Sequence, residues 1–313
     1  MSDYLRCHLC GENGATFAEA ADVRKVPSHV RCFADDNFTV WRCSRCGSLH
    51  SKEAVDLNKY YADYPFKYHR LDYHTRIAYR NRLRMMKSLG IRADSTILDF
   101  GCGQGLYIDF LRTRGYNSVS GFDSFIPRYS DEKVLHKQYD FVISHDVIEH
   151  VEDPLAFFDL LVSLVAPGGT LVIGTPNASE IDLQDTTGPA VELSQPYHRH
   201  ILSEALLATL ANRHDLDVIP ISHRFYYDSL IPTANVRFMW TYIQKKGGMI
   251  DVAVQPPDWK FILRSPELIF WAFFGYFRRV PGNILIGYRR RVKHSGQVST
   301  DGGGESRDAS LRM

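Results

Sequence analysis

The sequence predicts a doubly wound α/β fold, a mostly parallel sheet with helices on both faces, preceded by a small cysteine ribbon. Three observations carry that expectation. Short β-like runs alternate with helical runs through residues 93–222, a glycine-rich loop follows the first of those runs, and two Cys-x-x-Cys-Gly pairs lie within residues 1–52. The chain of 313 residues is 44% hydrophobic and 23% charged, enough apolar surface for a sizeable core. Its formal net charge of +1 argues against a chain-wide polyanion binder.

Taken in order, Cys7-His8-Leu9-Cys10-Gly11 and Cys43-Ser44-Arg45-Cys46-Gly47 are each a knuckle. Two thiolates face one ion, and the glycine allows the tight turn behind the second cysteine. Residues 1–52 are therefore expected to form a ribbon around a structural Zn²⁺ held by Cys7, Cys10, Cys43 and Cys46. Six cysteines are too few for a disulfide scaffold of this length. Cys32, His8, His29 and His50 read as bystanders. Residues 53–92 are rich in Tyr and Arg and read as a helical linker capping the next domain. Ile77, Ala78, Leu83, Met85, Met86 and Leu89 give its helix.

In the core, residues 93–222, strands are expected at 96–100, 118–122, 139–144, 170–174 and 217–221, with helices at 104–114, 153–165 and 203–213. Residues 223–292 are aromatic and irregular, and Asn283 to Tyr288 reads as a final strand at an antiparallel edge. Residues 293–313 form a polar tail with Gly302-Gly303-Gly304, expected to be disordered. Asp3, Arg6 and Glu12 interrupt any apolar leader, and no apolar run is long enough to span a bilayer, so the default location is cytoplasmic.

The first core strand runs into Asp99-Phe100-Gly101-Cys102-Gly103-Gln104-Gly105. The spacing fails as a dinucleotide fingerprint, because Leu106 or Ile108 stands where the third glycine is needed, and no Gly-Lys-Ser/Thr follows for a phosphate loop. The run Asp-x-Gly-x-Gly-x-Gly resembles motif I of the class I S-adenosylmethionine-dependent methyltransferases, whose fold is Rossmann-like. Asp123 at the end of the second strand, the segment Tyr139 to Pro154, and Ala166-Pro167-Gly168-Gly169 through Thr175-Pro176-Asn177 match further family segments in order. The resemblance covers roughly residues 75–222. It implies that Asp99 sits near the methionine amino group and that Phe100, Gly101, Cys102, Gly103 and Gly105 line the cofactor. It further implies that Asp123 binds the ribose, with Ser124 and Phe125 beside the adenine and His145 completing the set. The stretch between Asp123 and Asp140 is short, so the family's second helix and third strand are expected to be curtailed. Cys102 reads as a small residue filling a tight loop rather than a nucleophile.

Methyl transfer to a hydroxyl needs a base or a metal to take the acceptor proton. Asp146, Glu149 and His150, with Pro196-Tyr197-His198-Arg199-His200 downstream, look like the site of the ubiquinone-pathway O-methyltransferases and of the small-RNA 3′-terminal 2′-O-methyltransferases. The resemblance implies Mg²⁺, Mn²⁺ or Zn²⁺ on Asp146, Glu149, His150 and His198; the metal-free version makes His198 or His200 the base, with Asp146 assisting. The ribbon is similar to that of sugar C-methyltransferases acting on nucleotide-linked hexoses, and some ribosomal-RNA methyltransferases also carry a zinc finger. Acidic and basic residues are in near balance over residues 1–52, which argues against nucleic acid as the partner. The expected function is O-methylation of a small-molecule, glycan or lipid-linked hydroxyl; C-methylation of a nucleotide-linked sugar and ribbon-guided RNA methylation are the alternatives. Trp259, Phe261, Phe270, Trp271, Phe273, Phe274, Tyr276 and Phe277 read as a lid burying its aromatics over the acceptor pocket, with a peripheral membrane contact through 257–293 as the other reading.

Overall fold

A computed structural model describes residues 5–62, 71–185 and 191–292. The expected tail at 293–313, and Tyr64 and Tyr68, lie outside the described residues. The ribbon contributes β1 (Val23–Pro27), β2 (Asn37–Arg42) and β3 (Leu49–Ser51). After α1 (Leu57–Tyr61) and α2 (Tyr73–Ser88) the core begins with β4 (Ile97–Phe100), α3 (Leu106–Arg112), β5 (Val119–Phe122), β6 (Tyr139–His145), α4 (Pro154–Ser163) and β7 (Val165–Pro176). It continues through β8 (His200–Ile201), α5 (Glu204–Leu210) and β9 (Leu216–Ser222). The insertion holds α6 (Val236–Lys245), α7 (Trp259–Leu263) and α8 (Pro266–Phe274), and β10 (Asn283–Arg290) returns to the core.

Six strands form the main sheet in the order β5-β4-β6-β7-β10-β9. The first four are parallel, and β10 is antiparallel to both β7 and β9. The expected edge position of β10 is thus corrected: it is inserted between β7 and β9, burying a run from Asn283 to Tyr288. Between Asp123 and Asp140 the chain makes two short 3-10 turns, Pro127–Tyr129 and Glu132–His136, where the curtailed segment was expected.

The period-2 alternation of each strand divides the core between two faces. Leu98, Phe100, Val142, Leu171, Ile173, Ile284 and Ile286 pack with Phe157, Phe158, Leu161, Leu207 and Leu210 from α4 and α5. Ile97, Phe141, Ile143, Val172 and Leu285 pack with Leu83 and Met86 of α2 and with Tyr107, Ile108, Phe110 and Leu111 of α3. Asp99 shares the side of Ile97, so it faces α2. Side-chain caps start the helices: Asp72 accepts from Thr75 N, Asp153 from Leu155 N and Ala156 N, and Ser203 from Leu206 N.

The ribbon is not free-standing. β8, a two-residue strand of the core segment, pairs with β3 and extends the small sheet to β1-β2-β3-β8. Cys7, Leu9 and Trp41 pack into the same apolar cluster as α4 and α5. The lid expectation fails for most of its aromatics. Phe238, Tyr242 and Ile243 of α6 bury Leu268 and Ala272 of α8, while Phe270, Phe273, Phe274 and Phe277 stay exposed.

Candidate active site

The glycine loop at the end of β4 closes one wall of a cavity of about 180 Å³. Gly103 has φ +52°, a left-handed conformation that favours glycine, and a Cβ there would meet nothing within 4 Å. At Gly105, φ +76°, a Cβ would come within 2.1 Å of the Tyr129 hydroxyl. Asp123 braces the loop: its carboxylate accepts from Gly103 N at 2.9 Å and from Phe125 N at 3.0 Å. Burial raises the Asp123 carboxyl, and those two donors pull it back.

Asp99 and Arg82 meet at 3.0 Å, both buried, behind the loop. Burial raises the Asp99 carboxyl, and the guanidinium pulls it back. Arg82 also lies over the Tyr107 ring at 4.0 Å. Arg82 belongs to no linear motif, yet helical periodicity marks it. Thr75, Tyr79, Arg82, Leu83 and Met86 follow the inward stripe of α2, and a cation on such a stripe needs a buried partner. Tyr79, Gln104 and Tyr226 complete the pocket wall; Tyr226, on an irregular segment, carried no local motif.

The cavity holds polar atoms in need of a ligand. Arg82 Nε, Tyr107 Oη and both ring nitrogens of His145 are buried without a hydrogen-bond partner among the described residues. His145 stacks on Tyr226 with ring centroids 5.3 Å apart, and burial holds it neutral. Asp146 lies open at the pocket wall with φ 56°, 3.5 Å from the Tyr226 hydroxyl that donates to it. Crowding by protein pushes its carboxyl up to about 6. Cys102 is pushed up by burial, which suits a packing role and not a thiolate. Phe125 is surface-exposed and stacks on Tyr61 at 5.0 Å. Ser124 is exposed beside it.

Further along the same turn, Glu149, His150 and His198 bring one ligand atom each within 4.8 Å of one another. Glu149 is fully buried: one oxygen accepts from Thr175 Oγ1 at 3.0 Å, and Oε1, 4.0 Å from His150 Nε2, has no hydrogen-bond partner among the described residues. His198 Nδ1 donates to the Glu192 carbonyl at 2.6 Å, and His150 Nδ1 pairs with the Tyr61 hydroxyl at 2.9 Å. Each ring therefore keeps Nε2 for a further partner. Burial lowers both imidazoles, His198 to about 4, so their lone pairs are available.

Two expectations are corrected here. Asp146 is not among these ligands, because it faces Tyr226 at the wall of the glycine-loop cavity. His200 is not near an acceptor proton: β8 places it in the ribbon sheet, where its Nδ1 pairs with His50 Nδ1 at 2.9 Å and its ring meets His8 edge-on. The two histidines diverge because His198 lies in the turn before β8, beside Glu149, while His200 is the first residue of β8 and pairs with the ribbon.

At the ribbon, Cys7 Sγ is 3.6 Å from Cys10 Sγ and 3.7 Å from Cys46 Sγ, and Cys10 Sγ is 3.8 Å from Cys43 Sγ. Sulfurs at ~2.3 Å from a tetrahedral Zn²⁺ would be ~3.8 Å apart, so the four fit that ion. The second knuckle is tied to the core, because Ser203 Oγ donates to the Cys46 carbonyl at 2.6 Å and Ser203 N donates to Ser48 Oγ at 3.0 Å.

Residues 69–221 match a methyltransferase-domain family. The chain is 32% identical over 129 residues to the ubiquinone biosynthesis O-methyltransferase of Dinoroseobacter shibae, covering 34% of this chain and 52% of that one. It is 30% identical over 112 residues to the mitochondrial ubiquinone biosynthesis O-methyltransferase of Dictyostelium discoideum, covering 26% and 35%. The chain thus spans about half or less of the curated relatives it matches. A methyltransferase structure from Mesorhizobium loti superposes with a TM-score of 0.41 at 16% identity, covering 67% of this chain and 98% of that one.

Proposed function

We propose that the chain, whose residues 69–221 match a methyltransferase-domain family, is a class I S-adenosylmethionine-dependent methyltransferase that transfers the cofactor's methyl group to a hydroxyl of a small molecule. The observation that carries this reading is the pairing of two neighbouring sites. One is a glycine-walled cavity lined by Asp99 and Arg82, whose loop Asp123 braces; the other is the Glu149–His150–His198 cluster. The relatives named ubiquinone biosynthesis O-methyltransferase support oxygen as the acceptor atom.

In this reading Asp123 accepts the ribose hydroxyls while its loop contacts hold Gly103 out of the way. Arg82, fixed by Asp99, offers its unpartnered Nε to the carboxylate of the methionine end, and Asp146 faces the cationic end. Methyl transfer from a sulfonium needs alignment and exclusion of water more than acid–base help. The acceptor hydroxyl is the exception, since its proton must leave. Neutral imidazoles plus a buried carboxylate suit Mg²⁺, Mn²⁺ or Zn²⁺. A divalent ion held there would lower the acceptor's pKa. The Glu192 carbonyl fixes the His198 tautomer with Nε2 free of its proton, and the Tyr61 hydroxyl orients the His150 ring through Nδ1. In the ribbon, Cys7, Cys10, Cys43 and Cys46 hold a structural Zn²⁺. The test is release of S-adenosylhomocysteine with hydroxylated aromatic acceptors in the presence of added divalent ions. Transfer to at least one such hydroxyl, abolished by His198→Ala, is the expected result; transfer only to carbon or nitrogen acceptors would replace this reading.

A further inference from the structure

The insertion between β9 and β10 presents a surface that the fold leaves uncovered. On α8 only Leu268 and Ala272, one helical turn apart, are turned fully inward. Phe270, Phe273 and Phe274 are 51%, 56% and 53% exposed, followed by Phe277 at 72%. On α7, Trp259 and Leu263 are 52% and 69% exposed. The rings cluster, with Phe270 lying 5.1 Å from Phe274 and 4.9 Å from Trp271. Scattered exposed apolar residues need no explanation, but a run of this density on one short segment does.

The charges around it are one-sided. Asp258 is committed to Lys246 at 3.0 Å, Glu267 to Lys245 at 2.8 Å, and Glu180 to Arg279 at 2.7 Å. Lys260, Arg264 and Arg278 are exposed, and no ion pair among the described residues engages them. Self-pairing of this surface in a symmetric dimer would set those cations against their own copies. No helix among the described residues is long and apolar enough to cross a membrane. Aromatic side chains beside unpaired cations instead match the headgroup layer of a bilayer, where rings enter the acyl boundary and cations meet phosphate.

We propose that α7, α8 and Phe277 form a docking surface for anionic lipid bilayers. The surface is tied to the cofactor cavity. Arg224 lies over the Tyr276 ring at 4.2 Å and donates to the Tyr276 carbonyl at 3.0 Å, two residues before the pocket residue Tyr226. Docking therefore orients the cavity relative to the bilayer, whatever reaction the cavity performs.

Co-sedimentation of the full chain with phosphatidylcholine vesicles, with and without phosphatidylglycerol, tests this. Binding to the anionic vesicles is expected, weakening with salt. Phe270→Ser/Phe273→Ser/Phe277→Ser should weaken it by roughly tenfold or more, and Arg264→Glu/Arg278→Glu, whose side chains are exposed, should also weaken it with the melting temperature unchanged. A chain that stays in the supernatant with both vesicles, or aromatic variants that bind like the parent, would overturn the proposal. So would a concentration-dependent dimer that the Phe substitutions disperse in the absence of vesicle binding.

Discussion

Arg82 and Asp99 form a buried ion pair of 3.0 Å between α2 and the end of β4, with the guanidinium lying over the Tyr107 ring at 4.0 Å. Breaking a buried pair by removing one partner typically costs about 3–5 kcal/mol, because it leaves the other charge stranded. Arg82→Met should lower the denaturant midpoint accordingly and also weaken S-adenosylhomocysteine binding. The double variant Arg82→Met/Asp99→Asn should recover much of the stability and none of the affinity. Equilibrium denaturation with calorimetric binding on the same samples checks both.

The Asp146 carboxyl, raised to about 6, gives a pH dependence of definite sign. The folded protein holds this proton above the ordinary carboxylate range, so the stability contribution is present at low pH and falls as pH rises through about 6. Affinity for a cationic ligand runs the other way, since the sulfonium cofactor prefers the anion. Binding of S-adenosylmethionine should therefore tighten from pH 5 toward 7 and level off, and Asp146→Asn should flatten that rise. Titration calorimetry across the range measures it.

His198 and His200 should separate cleanly. His198→Ala removes an Nε2 from the Glu149 and His150 cluster and should abolish turnover while leaving cofactor affinity within about twofold. His200→Ala breaks the pairing with His50 inside the small sheet. It should cost about 1–3 kcal/mol of stability, the penalty for a buried polar group losing its partner. Its turnover per folded molecule should be retained. Steady-state rates normalised to folded protein decide this.

The contrast between these histidines shows what the sequence could carry. The Asp-x-Gly-x-Gly-x-Gly loop, Asp123 and the paired cysteines are local signals, legible from the residues themselves without the fold. The division of His198 from His200 depends on β8, a strand of two residues pairing with β3 far back in the chain, and no local pattern announces so short a strand. Arg82 is intermediate: helical periodicity puts it on the inner face of α2, but only the register of β4 identifies Asp99 as its partner. The exposure of the α8 aromatics is not legible in composition, which does not say which way a helix faces; α6 sets it by covering only Leu268 and Ala272.

The four ribbon thiols should retain one Zn²⁺ per chain through purification. Cys43→Ser should lose it. The loss should extend beyond the ribbon, because Trp41, fully buried, shares a cluster with α4 and α5. Elemental analysis gives the metal content, and a red shift of tryptophan emission at unchanged pH reports the opening.

The central claim is that the cavity walled by the glycine loop, which Asp123 braces, is a cofactor site, and titration calorimetry with S-adenosylhomocysteine tests it most directly. The parent protein should bind one equivalent, and Asp123→Asn should weaken binding by roughly 10- to 100-fold, as expected when hydrogen bonds to a charged acceptor are lost. A folded parent protein that gives no binding heat at any temperature tried, or an Asp123→Asn variant with unchanged affinity, would contradict the account.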